Sequence, residues 1–101
     1  MVNVFQAQKK AEDLFGGDDL ENIKKAIGRA DGAAKNCRFN AMMDRFSEIE
    51  GVIDSRNKRL VRESEDVEEI SPKIRESLIF RSEVIDMLGR RLEDECECRL
   101  K

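Results

Sequence analysis

Apolar residues recur along this chain at steps of three and four, the spacing of amphipathic helices, and punctuation divides them into three stretches. The first covers residues 2–15, where Val4, Ala7, Ala11 and Leu14 share a stripe flanked by Phe5 and Phe15. Gly16-Gly17 then supplies a stop, because glycine takes the left-handed C-cap conformation cheaply. A helix this short is marginal alone and must dock on something.

The second stretch opens at Asp18, an N-cap candidate with Glu21 three residues on, as in a capping box. Its stripe runs Ile23, Ile27, Ala30, Ala34, Cys37, Ala41. After a small phase drift it resumes as Met42, Phe46, Ile49, Ile53, Leu60, Val67, which predicts a helix over residues 19–69. Gly28, Gly32 and Gly51 each weaken that helix by up to about 1 kcal/mol. Residues 28–32 are therefore the expected place for a break. The alternative there is a thin face of small side chains that lets a neighbouring helix approach closely.

The third stretch is expected to start at Ser71-Pro72, an N-cap serine before a proline at the first helical position. It should form a helix over residues 72–97, with Ile74, Leu78, Ile85, Leu88, Leu92 and Cys96 on one face, widened by Ile79 and Val84. Asp86 and Arg90 support it at i, i+4. A tight turn makes the second and third helices antiparallel neighbours, pairing Val67 with Ile74, Leu60 with Leu78 and Ile53 with Ile85 or Leu88. The expected fold is all-α, a single domain over residues 1–101: a long antiparallel helical hairpin or a three-helix bundle with coiled-coil character. In that register residues 20–40 outrun the third helix, so they overhang, fold back, or are covered by a partner. Val2, Val4, Phe5, Phe15, Phe39, Met43 and Phe80 also do not all fit one three-helix core. They imply either a second interface or a wrapped extra layer.

Composition sharpens this picture. Charged residues reach 41% yet nearly cancel to a net charge of −3, which fits long exposed helices better than a disordered chain. The acidic balance disfavours sequence-independent nucleic-acid binding. Basic clusters exist at Lys9-Lys10, Lys24-Lys25-Arg29, Arg56-Lys58-Arg59-Arg62 and Arg90-Arg91, but acidic residues lie within a turn of most of them. No apolar run approaches the roughly 18 residues of a membrane span.

Candidate chemistry is sparse. Histidine is absent, removing the commonest general acid–base and metal ligand. Carboxylates such as Glu63, Glu65, Asp66, Glu68 and Glu69 form a surface run suited to solvation, and no Gly-Lys-Ser/Thr phosphate loop follows Gly16-Gly17. Cys96-Glu97-Cys98 could hold a soft metal or form a redox pair, but the flanking Glu93, Asp94 and Glu95 oppose thiolate formation. Within the chain only Cys37 could join them. Three cysteines and no basic, apolar leader at the N-terminus suggest reduced thiols in the cytoplasm.

The expected function is accordingly a non-catalytic helical interaction module, an adaptor, scaffold or assembly subunit. No catalytic, cofactor or metal site and no small-molecule substrate are expected. Its partner is another protein or a second copy of the chain, with contacts that include residues 20–40. An alternative comes from likeness. The segments Phe46-Ser47-Glu48-Ile49-Glu50-Gly51-Val52-Ile53 and Ile74-Arg75-Glu76-Ser77-Leu78-Ile79 resemble the three-helix domain of syntaxin-type SNARE proteins. That resemblance implies a regulatory domain in membrane traffic that binds a SNARE helix. A further alternative is a ribosome- or RNA-associated factor using the basic residues from Arg56 to Arg62.

Overall fold

The computed structural model describes residues 3–100, with side chains through Cys96, and it is almost wholly helical. Four helices follow one another: α1 (Val4–Leu14), α2 (Gly17–Lys35), α3 (Phe39–Glu63) and α4 (Val67–Leu100). The all-α class expected from periodicity holds, but four helices replace the hairpin or three-helix arrangement.

Local chemistry explains each boundary. Asn3 caps α1 through a reciprocal pair: its side chain accepts from the Gln6 amide at 2.9 Å, and the Gln6 side chain accepts from the Asn3 amide at 3.0 Å. Helix α2 begins not at an Asp18 cap but after Gly16, with Gly17 at φ +58°, a left-handed conformation that side chains with a Cβ resist. Asp18 and Asp19 occupy its first turn, where carboxylates oppose the positive end of the helix dipole.

The expected helix over residues 19–69 is broken, and the break lies at residues 36–38 rather than 28–32. Gly28 and Gly32 both sit inside α2. The ending is a Schellman motif: the Arg38 amide donates to the Ala33 carbonyl at 2.9 Å and the Cys37 amide to the Ala34 carbonyl at 3.1 Å. Cys37 holds the left-handed position at φ 60°. The Asn36 side chain also donates to the Gly32 carbonyl at 2.9 Å. The small-residue stretch is instead the thin face: Ala26, Ile27, Ala30, Asp31 and Ala34 are buried.

The second correction concerns the start of the last helix. The turn falls at residues 64–66, and α4 begins before Pro72, which lies in its second turn. Asp66 wins as cap because its carboxylate accepts from both the Glu68 amide (3.1 Å) and the Glu69 amide (3.3 Å). Starting there also buries Ile70. Pro72 removes only the amide that would have bonded the Glu68 carbonyl, which lies on an exposed residue near the helix end. Asp66→Ala should therefore cost about 1 kcal/mol in denaturant unfolding. Ser71→Ala should stay within about 0.5 kcal/mol; the reverse ranking would restore the Ser71 start.

Moving the turn shifts the α3–α4 register by more than a helical turn. Asn57 donates to the Ser77 hydroxyl at 3.0 Å, Arg56 donates to the Lys73 carbonyl at 3.2 Å, and Arg81 pairs with Glu50. The antiparallel run survives, but the pairing of Leu60 with Leu78 does not. Helix α2 folds back along α3, with Asp19 bonded to Arg59, and lies parallel to α4, with Asp31 bonded to Arg91. Helix α1 covers α2 and α4. At about 1.5 Å per residue, the 34 residues of α4 account for the 51 Å long dimension of the molecule.

Because α4 faces three helices rather than one, its buried face turns. Ile70, Ser77, Phe80, Val84, Met87, Leu88 and Cys96 point inward, while Leu78 and Ile79 are about half exposed at 46% and 51%. The stripe of residues 20–40 is likewise accounted for within the chain: Ile23, Ile27, Ala30 and Ala34 are buried against the other helices. Of the three alternatives for residues 20–40, the segment folds back. Of the off-stripe residues, Phe15 and Phe80 belong to the core, with ring centroids 5.8 Å apart. Val4 and Met43 pack against the core's edge, Phe5 and Phe39 are exposed, and Val2 lies outside the described residues.

Candidate protein-binding groove

The basic run on α3 splits into two faces by helical spacing. Arg56 and Arg59, three apart, turn toward the neighbouring elements, Arg56 half-buried and Arg59 exposed. Arg56 stacks its guanidinium over the Phe15 ring at 5.4 Å and reaches the Lys73 carbonyl, while Arg59 bonds Asp19 at 3.0 Å. Burial lowers the Arg56 pKa below its ordinary value, opposed by nearby Glu76, and the group remains a cation at any physiological pH. These two side chains hold α3 to α1, α2 and α4.

Lys58 and Arg62, four apart, face the other way, and neither forms an ion pair among the described residues. They flank Val61, which is 57% exposed. Across from them on α4 stands Ile74, half-buried, with the exposed Leu78 one turn further along. Ser55, Asn57, Lys58, Val61, Arg62 and Ile74 line an open groove of about 560 Å³ between the two helices. No acidic residue lines it. The groove is thus an apolar floor with two unpaired cations at its rim. Residues placed in the core by the expected hairpin now form an outer surface.

Four residues of the other basic clusters form ion pairs within the fold, while Lys9, Lys25 and Arg29 form none among the described residues. Lys10 pairs with Glu83, Lys24 with Glu12 at 2.9 Å, Arg90 with Asp86 at 2.9 Å, and Arg91 with the buried Asp31 at 3.1 Å. The acidic run of the α3–α4 turn contributes the Asp66 cap and a Glu69–Lys73 pair at 3.8 Å.

The cysteines depart from expectation. Cys37 and Cys96 form a disulfide, 59 residues apart in sequence, that ties the α2–α3 corner to the last turns of α4. The premise of reduced thiols fails for these two. Helix rise, with α2 parallel to α4, brings position 37 level with 96, and Cys96 is buried as its place on the apolar face predicts. The Cys98 side chain lies outside the described residues. Among the described residues, no three His, Cys, Asp or Glu side chains gather as a metal site, and no helix is long and apolar enough to cross a membrane.

The segments that resemble a syntaxin-type domain contribute mainly to packing: Phe46, Ile49 and Ile53 are buried on α3, and Ser77 is buried on α4. No protein-family model, curated protein or solved structure matches the chain.

Proposed function

We propose that this protein is a non-catalytic interaction module, an adaptor, scaffold or assembly subunit, that binds another protein through the α3–α4 groove. The observation that carries this reading is the exposure of Val61 and Leu78 beside half-buried Ile74 on neighbouring helices. Apolar side chains gathered on one face mark interaction sites more often than scattered ones do. The absence of histidine and the lack of any cluster of three metal-ligating side chains among the described residues support a role without catalysis. The RNA reading loses weight because Arg56 is bonded to the Lys73 carbonyl and Arg59 to Asp19 within the chain. A cytoplasmic setting rested on free thiols, and a disulfide is more at home in an oxidising compartment.

A Val61→Ser/Leu78→Ser double variant tests the reading. Its melting midpoint should match that of the parent, because both side chains are exposed. Used as bait beside the parent in native extract, it should lose the protein that the parent retains. Equal retention by both baits rejects the groove as the binding surface.

A further inference from the structure

We infer that the groove takes an acidic amphipathic helix, with carboxylates spaced to meet Lys58 and Arg62 and apolar residues seated on Val61 and Ile74. The inference rests on the interaction reading above and specifies the chemistry of the partner.

Charge carries the argument. Across the described residues, most other cations on α3 and α4 find internal partners, Arg45 with Glu48, Arg59 with Asp19, Lys73 with Glu69, Arg81 with Glu50 and Arg90 with Asp86, while Arg75 forms no ion pair. Lys58 and Arg62 form none either, and they stand one turn apart on the same side of Val61's stripe, with no carboxylate among the lining residues. Bringing an apolar surface over Val61 and Ile74 strips water from the two cations. A basic or neutral occupant leaves them desolvated and unpaired, which costs affinity. A partner with Glu or Asp at i, i+4 pairs both at once, and a helix is the element that repeats charge at that spacing on one side of an apolar stripe. Nucleic acid fits less well, since phosphate gains nothing from the apolar floor of Val61 and Ile74.

A displayed library of amphipathic helices tests this, with apolar positions fixed and flanking positions randomised among Glu, Lys and Gln, selected on the full chain. Enrichment of Glu at pairs four apart is the expected result. A synthetic peptide of the enriched sequence, followed by fluorescence anisotropy, should bind at least tenfold more weakly to Lys58→Glu/Arg62→Glu and to Val61→Ser. Its affinity should also fall as salt rises.

Selection of Lys-rich or neutral helices whose binding still depends on Val61 overturns the acidic partner while leaving the interaction reading intact. So does a Val61-dependent dimer of the chain in sedimentation. Tighter binding of a single-stranded RNA oligonucleotide than of any selected helix, or no helix selected at all, overturns both.

Discussion

Phe80→Ala should destabilise the protein by about 3–5 kcal/mol, while Leu78→Ala, two residues away, should cost less than about 1 kcal/mol. The contrast follows from the turn of α4. Phe80 is 2% exposed and meets Phe15 edge-on to tilted, and Phe15 in turn supports the Arg56 guanidinium. Truncating Phe80 removes a large buried ring and undercuts the joint where α1, α3 and α4 meet. Relaxation cannot fill that space readily, because Val84, one turn further along α4, is itself fully buried. A domain of this size has only about 5–15 kcal/mol of net stability, so the variant should melt far earlier or fail to fold. Urea unfolding of both variants, with the midpoint compared at constant slope, decides it. The sequence stripe alone predicts the opposite order, with Leu78 in the core and Phe80 outside.

Reducing the Cys37–Cys96 bond should cost about 4 kcal/mol on the loop-entropy account, given the 59-residue separation. The bond closes a loop containing all of α3 and most of α4, so its absence frees a large part of the unfolded chain. A non-reducing peptide map should recover the Cys37 and Cys96 peptides as one species, and urea unfolding with and without dithiothreitol should show the loss. An unchanged midpoint with the bond demonstrably reduced would contradict it. Cys37 adds a finer contrast, because it occupies a left-handed position that glycine tolerates better. Cys37→Gly and Cys37→Ala both lose the bond, yet the glycine variant should keep about 1 kcal/mol more. A Cys37→Ala variant equal to Cys37→Gly would mean that the corner relaxes once the bond is gone.

The helical nature of this chain was legible from spacing alone, since steps of three and four encode which side of a helix is apolar. The Gly16-Gly17 stop was legible for the same local reason, and so was the absence of any histidine-based site. Two signals were present but outweighed. Asp66-Val67-Glu68-Glu69 before Ile70 is as good a helix start as Ser71-Pro72, and Asn36 is a natural helix stop. Each was passed over because proline and glycine are louder punctuation than a capping carboxylate or amide.

The rest was not local. Periodicity says that a helix has an apolar side, but it does not say how many neighbours share that side. Once α2 folded back at Cys37, α4 had three helices to cover instead of one, and its buried face rotated to suit all of them. That rotation placed Phe80 in the core, brought Cys96 level with Cys37, and left Val61 and Leu78 exposed beside Ile74 and two unpaired cations. The sequence by itself determined the helical character and the absence of histidine. Only the tertiary structure decided which apolar residues were spent on the core and which were left over, because burial is a property of the whole packing and not of any one stripe.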